Sequence, residues 1–212
     1  MTTDFLVIGA GIAGLSFALR AAKHGTVTVL AKGKLMESNT AWAQGGIAAV
    51  LAEEEREAGD TIEDHVRDTL DAGAGLCDEA AVRVIVDGAE EAIDDLVAYG
   101  VKFDRHGDHF ELGKEGGHSH RRILHSRDTT GREIASALIE AARRTPNITL
   151  LENRVAIDLV TSSKLGSITD DRVLGAYVLD AATGEVEIFR SDRVVLATGG
   201  CGKVYLYTTN PD

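Results

Sequence analysis

Gly9, Gly11 and Gly14 stand directly after the apolar run Phe5-Leu6-Val7-Ile8 and open a stretch with helical spacing. In that context the spacing Gly-x-Gly-x-x-Gly is a dinucleotide fingerprint rather than a chance match. Gly9 permits the tight turn, Gly11 lets a pyrophosphate approach backbone at a helix N-terminus, and Gly14 lets the helix pack closely on the strand. An acidic residue that chelates a ribose would be expected at the end of the second strand, but the chain there reads Leu30-Ala31-Lys32. Lysine leaves either a phosphate contact or a ribose held by backbone and other side chains, which argues against an ordinary NAD dehydrogenase. Lys32 as a plain exposed strand-end lysine is the alternative.

Three further stretches carry groups able to do chemistry. Ser38-Asn39-Thr40-Ala41-Trp42-Ala43-Gln44-Gly45-Gly46-Ile47 offers hydroxyls, amides and bare backbone, the groups that can hydrogen-bond a flat heteroaromatic ring without adding bulk. A loop packed by Trp42 for its own stability is the alternative. Glu115-Gly116-Gly117-His118-Ser119-His120-Arg121-Arg122-Ile123-Leu124-His125 concentrates histidines, arginines and one carboxylate beside two glycines, as a site for an anionic small molecule would. Its His-x-His pair lacks a third ligand at a familiar zinc spacing, and the arginines would repel a cation. Val194-Val195-Leu196-Ala197-Thr198-Gly199-Gly200 reads as a buried strand ending in a small-residue turn.

The elements that must position these groups follow from periodicity. Residues 4–32 read as strand, turn, helix and strand, with Leu15, Ala18, Leu19 and Ala22 on one helical face and Val27-Thr28-Val29-Leu30 as the second, parallel strand. Residues 33–50 form a long loop. The segment 60–100 is helical, with Asp60 or Asp78 suited as N-caps and Gly100 as the stop. The acidic cluster Glu53–Glu57 just before it reads as solvated surface without a role. Residues 101–128 hold five of the seven histidines and little periodicity. A helix over 130–144 places Ile134, Ala137, Leu138 and Ala141 on one side. β-like runs follow at 148–151, 155–160, 173–179, 186–190 and 193–197, with Thr183-Gly184 as a hairpin turn. No internal repeat or low-complexity tract is visible.

Composition bounds the rest. The 212 residues are 44% hydrophobic with two prolines, enough for a buried core and too apolar for overall disorder. Lys and Arg number 22 against 34 Asp and Glu, and the net charge of −12 argues against nucleic acid as a partner. No apolar run is long enough for a membrane span, and the apolar opening lacks a basic flank, so a soluble, cytoplasmic protein is expected. Cys77 and Cys201 sit in no metal-ligand spacing and are expected to be reduced thiols.

Taken together, Gly9-Ala10-Gly11-Ile12-Ala13-Gly14, Asn39 to Ala48, Gly116 to His125 with Thr129-Thr130-Gly131-Arg132, and Ala197-Thr198-Gly199-Gly200 through Thr208-Thr209-Asn210-Pro211 resemble the L-aspartate oxidase family. The same motifs recur more loosely in the flavoprotein subunits of succinate dehydrogenase and fumarate reductase. The resemblance covers essentially the whole chain. It implies an α/β fold: a Rossmann-like FAD-binding domain over 1–212, with a parallel sheet and an added β-rich segment. The family's capping and C-terminal helical domains are not represented, so the chain is expected to be an N-terminal portion that is inactive by itself.

The resemblance also assigns residues. FAD contacts fall to Gly9, Ala10, Gly11, Ala13 and Gly14, to Ala31, Lys32 and Val155, to Asn39, Thr40, Ala41, Trp42, Ala43, Gln44, Gly45 and Gly46, and to Ala197, Thr198 and Gly199. Within that set Thr40, Gln44 and Gly45 are expected near the isoalloxazine and Gly11 at the pyrophosphate. Asn39 stands where the respiratory subunits carry the histidine that links to flavin, so FAD is expected to be non-covalent. Glu115, His118 and His120, with Arg132 as a further candidate, face the substrate, and a glutamate at position 115 is associated with the substrate's amino group. No proton donor is assigned. The implied reaction is oxidation of L-aspartate to iminoaspartate, with oxygen or fumarate as electron acceptor. That is the first step toward quinolinate and NAD, linked functionally to quinolinate synthase. A succinate or fumarate oxidoreductase and a non-catalytic FAD- or NAD-binding module are the alternatives.

Overall fold

The computed structural model describes residues 1–127, 129–166 and 171–210. Asp128, at the end of the histidine-rich stretch, and Pro211 and Asp212 lie outside the described residues. The chain separates into two compact units, one made of 1–42 with 135–212 and the other of 43–134. The single domain expected over 1–212 does not contain that division.

The first unit is built on a parallel sheet. β1 (Phe5–Ile8) and β2 (Val27–Leu30) flank the helix α1 (Ile12–Ala21), as the sequence predicts. Every residue of β2 is buried, which fits a parallel strand covered on both faces. A short helix, α2 (Asn39–Trp42), lies within the predicted loop, with Ser38 Oγ accepting from the Ala41 N–H at 3.2 Å. β8 (Ile148–Leu151) and β12 (Val194–Leu196), far apart in sequence, complete the order β12-β1-β2-β8, every neighbour parallel. A three-stranded antiparallel sheet of β9 (Arg154–Thr161), β10 (Val173–Asp180) and β11 (Val186–Arg190) packs on it. Leu6, Ile8 and Leu30 meet Ala176, Val178 and Phe189 in one core. Thr183-Gly184 is the expected hairpin turn, with Gly184 at φ +77°. A 3-10 turn spans Gly202–Val204.

Among its described residues the second unit holds three helices within the segment the sequence predicts as helical, α3 (Ile62–Ala72), α4 (Glu79–Asp87) and α5 (Ala89–Ala98). Asp78 caps α4, accepting from the Ala81 N–H at 3.0 Å, and Gly100 stops α5 at φ +102°. Thr61, not Asp60, caps α3, its hydroxyl accepting from Asp64 N at 3.1 Å. Asp60 is instead buried in an ion pair. Small strands supply the remainder: β3 (Ile47–Ala48), β6 (Leu112–Gly113) and β7 (Ile123–Leu124) in the order β3-β7-β6, and β4 (Arg105–His106) with β5 (His109–Phe110).

The helix α6 (Thr130–Arg144) begins in the second unit and continues in the first. Its buried stripe is Ile134, Ala135, Leu138, Ile139 and Ala142, rotated from the expected one because Ala135 and Ile139, rather than Ala137 and Ala141, turn inward. Among the described residues no helix is long and apolar enough to cross a membrane. Cys77 and Cys201 are free.

Candidate functional site

In the first unit the predicted cofactor residues gather at the carboxyl ends of the parallel strands, where open α/β sheets bind ligands. Gly9 follows β1 at φ +116°, and a Cβ there would lie 2.7 Å from the Ala197 carbonyl carbon, closer still to its oxygen. The turn after β1 and the turn after β12 therefore touch, and only glycine fits between them. Gly14 is buried against β1, and an added Cβ would come within 3.2 Å of Val7 Cγ1 and 3.1 Å of the Gly9 carbonyl carbon. Both glycine roles read from the sequence have a steric cause.

Gly11 is the N-cap of α1 and contributes no side chain to it. Thr40 Oγ1 accepts from the Ile12 N–H at 3.0 Å, satisfying one of the orphan donors of the first turn. Thr40 thus stands at the N-terminus of α1, beside the turn that the sequence assigns to the pyrophosphate, while the sequence expects it near the isoalloxazine. Asn39 approaches the second turn: its Nδ2 would lie 3.6 Å from a Cβ on Gly199, which sits at φ +74°. At the end of β2 the Ala31 carbonyl accepts from Arg154 N at 2.9 Å, which brings Ala31 beside Val155, while Lys32 is exposed. Trp42 is 62% exposed and does not pack the loop.

In the second unit the rest of the glycine loop meets the acidic turn. The Ala43 carbonyl accepts from Gly131 N at 3.1 Å, just inside the start of α6. Gln44 is exposed. A Cβ on Gly45 would sit 3.8 Å from Glu115 Oε1 and 4.0 Å from Oε2, so the Glu115 carboxylate flanks bare backbone of the predicted flavin loop. A Cβ on Gly46 would come 3.1 Å from the Leu124 carbonyl carbon and closer still to its oxygen, because β3 leans directly on β7.

The turn itself is closed by His118 N donating to the Glu115 carbonyl at 3.3 Å, with Gly117 at φ +88° and Lys114 Nζ on the Ser119 carbonyl at 2.7 Å. His118 lies against the ring of His65, centroids 5.7 Å apart, and neither Nδ1 has a hydrogen-bond partner among the described residues. Burial, followed by the Arg122 and His118 charges, pushes the His65 pKa below its ordinary value, so His65 is neutral at neutral pH. His120 turns toward Glu57, with Nδ1 to Oε2 at 3.9 Å. Arg132 is exposed.

Arg122 overturns one expectation. Its side chain is 0% exposed and forks onto Asp60, Nε to Oδ2 at 3.1 Å and Nη2 to Oδ1 at 2.6 Å, while Nη1 donates to Asp68 Oδ2 at 2.7 Å. A guanidinium committed to two carboxylates is not available to an anionic ligand. Burial works against both ionised partners, but the bonds win: they raise the Arg122 pKa, while Ser119 and Arg122 hold Asp68 at about 2. The acidic cluster before α3 also has work that its composition hides. Glu55 accepts from Phe110 N at 3.0 Å, and Glu57 accepts from Arg121 N, which lowers its pKa. Asp60, Asp64 and His120 could offer ligand atoms within 4.8 Å of one another, yet Asp60 is taken by Arg122 and Asp64 by Thr61 and Arg67.

Comparison with known proteins decides the family. The model of the FAD binding domain matches residues 4–212. The chain belongs to that family. FAD is its cofactor, and the N-terminus of α1, where the N-cap Gly11 adds no side chain, is the kind of helix end that accepts a phosphate group. The chain is similar to L-aspartate oxidase of Pseudomonas aeruginosa, 52% identical over 99% of this chain and 39% of that protein. It is also similar to chloroplastic L-aspartate oxidase of Arabidopsis thaliana, 48% identical over 98% of this chain and 31% of that one. Among solved structures, E. coli quinol fumarate reductase superposes with a TM-score of 0.86 at 28% identity, covering 98% of this chain and 34% of that chain. The chain thus spans about two fifths or less of the curated relatives it matches.

Proposed function

We propose that this chain is the FAD-holding part of an enzyme that oxidises L-aspartate to iminoaspartate. The observation that carries the reading is the Glu115 carboxylate standing beside Gly45. Aspartate differs from succinate by an ammonium group, and a binding site that desolvates an ammonium needs an anion next to it. The chemistry that FAD supplies when bound is acceptance of two electrons, in the form of a hydride from the substrate Cα. The chain's own residues bind and orient.

The backbone around Gly9, Gly11 and Gly14, with Ala10 and Ala13, holds the pyrophosphate. Ala31, Lys32 and Val155 line the adenosine side, and Ala197, Thr198 and Gly199 form the second passage of the chain. Asn39 to Gly46 completes the flavin envelope, with Thr40 assigned to the pyrophosphate end. Asn39 offers no nucleophilic atom for a link to flavin, which supports non-covalent FAD. Glu115 takes the ammonium, and His118 and His120 complete the substrate side. Fumarate or oxygen serves as acceptor in the cytoplasm, and iminoaspartate passes to quinolinate synthase on the way to NAD.

The test is anaerobic addition of L-aspartate to the whole yellow protein. Bleaching of the visible flavin band by aspartate and not by succinate is the expected outcome. Bleaching by succinate alone would assign a respiratory-type oxidoreductase, and bleaching by neither would assign a non-catalytic FAD module. Colour released by acid precipitation would establish non-covalent attachment.

A further inference from the structure

Asp68 and Arg122 do more than neutralise each other. Asp68 Oδ2 accepts three hydrogen bonds of 2.7 Å: one from Arg122 Nη1, one from the Ser119 backbone N–H and one from the Ser119 hydroxyl. Arg122 Nη2 adds a contact to Ser119 Oγ at 3.3 Å. The backbone of the same arginine reaches the other side of the site: its carbonyl accepts from Ala49 N at 2.9 Å, directly after β3 and three residues beyond Gly46. One buried residue therefore ties the strand that follows Gly45-Gly46 to the turn that bears Glu115.

Asp60 already engages the guanidinium through two hydrogen bonds, so the counter-charge of Arg122 does not by itself require Asp68. What Asp68 adds is the pair of bonds to Ser119. The turn needs them: Glu115, Gly116, Gly117 and Ser119 are exposed, and no hydrogen bond or ion pair holds the Glu115 carboxylate among the described residues.

We propose that Asp68 and Arg122 are positioning residues, which fix the Glu115–Ser119 turn so that the Glu115 carboxylate stands where a substrate ammonium is recognised. The inference rests on the aspartate reading for its substrate, and on the hydrogen bonds for its geometry. Neither residue touches substrate or FAD; both act through Glu115.

The test is a double-mutant cycle in the whole enzyme with Asp68→Asn and Glu115→Gln, reading kcat/KM for L-aspartate and for fumarate. Asp68→Asn is expected to lower the aspartate-to-fumarate ratio by about 10- to 100-fold, the scale of a placement error of about 1 Å. It should change the ratio little once Glu115 is already Gln. A merely structural role would depress both substrates alike and leave the two substitutions additive, and either result would overturn the proposal. Should Asp68→Asn fail to fold, Ser119→Ala keeps the ion triad and removes the hydroxyl bond. It is expected to shift the ratio in the same direction and less, and Ser119→Thr to restore it; no shift in Ser119→Ala overturns the proposal.

Hydrogen exchange separates this inference from the aspartate reading. The Ser119 amide should exchange about tenfold faster in Asp68→Asn, or in Ser119→Ala where that variant replaces it, as expected for losing or weakening one hydrogen bond, with α3 unchanged. Unchanged protection refutes the positioning role even if aspartate is oxidised. Increased exchange in an enzyme that ignores aspartate keeps the positioning role and rejects only the substrate.

Discussion

Arg122→Met keeps the unbranched stem of the side chain and removes only the guanidinium that stands between Asp60 and Asp68. The pair it breaks is dry: the Arg122 and Asp60 side chains are each 0% exposed and that of Asp68 is 12% exposed. Three charge-assisted bonds, of 3.1, 2.6 and 2.7 Å, are lost together. Two carboxylates are then left with no cation between them. Removing one partner of a buried pair costs about 3–5 kcal/mol, and that is the destabilisation expected at mildly alkaline pH.

Acid should reduce the deficit. In the variant, burial beside a second carboxylate with no cation between them disfavours the charged form in the folded protein more than in the unfolded chain. A carboxyl with a raised folded pKa is favourable to folding when protonated, and its penalty grows as pH rises from the unfolded pKa to the folded one. Urea unfolding of both proteins at two pH values reads the difference. A deficit below about 1 kcal/mol at alkaline pH, or one that grows on acidification, would refute the assignment of Arg122 as a buried counter-ion. Replacing all three charges together, with Asp60→Leu and Asp68→Leu added, should be better tolerated than Arg122→Met alone, because no unpaired charge remains.

Gly11→Val should weaken FAD by about 2–3 kcal/mol, the worth of one charge-assisted hydrogen bond, and leave the fold intact, since among the described residues a Cβ at Gly11 meets only Thr40 Oγ1, at 3.4 Å. Equal dissociation constants in an FAD titration would move the pyrophosphate elsewhere. Gly46→Ala should cost about 1–3 kcal/mol in urea unfolding, because β3 must back away from the Leu124 carbonyl; a neutral result would contradict the β3–β7 packing. Asp68, depressed from 3.8 to about 2, contributes stability of about 2 kcal/mol that is present above about pH 4 and lost as pH falls through about 2. An acid-unfolding limb identical in wild type and Asp68→Asn would count against it. Glu115→Gln should lower kcat/KM for aspartate in the whole enzyme by about 2–4 kcal/mol of transition-state stabilisation and fumarate much less. A constant ratio of the two specificity constants would make Glu115 a loop residue only.

What was legible in the sequence is what is local. The fingerprint could be read because strand, turn and helix follow one another within a few residues, and Gly9 and Gly14 have steric reasons visible in their neighbours. The cap at Asp78, the stop at Gly100 and the hairpin at Thr183-Gly184 are local in the same sense. The sheet order was not legible, since β8 and β12 reach β2 and β1 from more than a hundred residues away. Asp60 looked like a cap because it precedes a helix, but Thr61 next to it does that work and frees Asp60 for a partner 62 positions on. Arg121 and Arg122 look alike in the sequence; one is exposed and the other wholly buried, and only the distant positions of Asp60 and Asp68 distinguish them.

The buried charge also explains how a turn with so little to pack can be held in place. The residues Glu115-Gly116-Gly117-His118-Ser119 contain no aliphatic side chain, and two glycines add conformational freedom that ordering must remove. Apolar burial is not directional enough to fix such a segment, and backbone bonds to a neighbouring strand would flatten it. A carboxylate that accepts both the N–H and the hydroxyl of Ser119 fixes position and orientation at one residue. That carboxylate can be kept ionised below the surface only beside a cation, and Arg122 is that cation. Arg122 in turn is anchored by Asp60 through side chain and by Ala49 through backbone, so the turn inherits its placement from the strand beside the glycine loop. The exposed carboxylate of Glu115 is left without a hydrogen-bond or ion-pair partner among the described residues, set beside bare backbone at Gly45 and available to a cationic group.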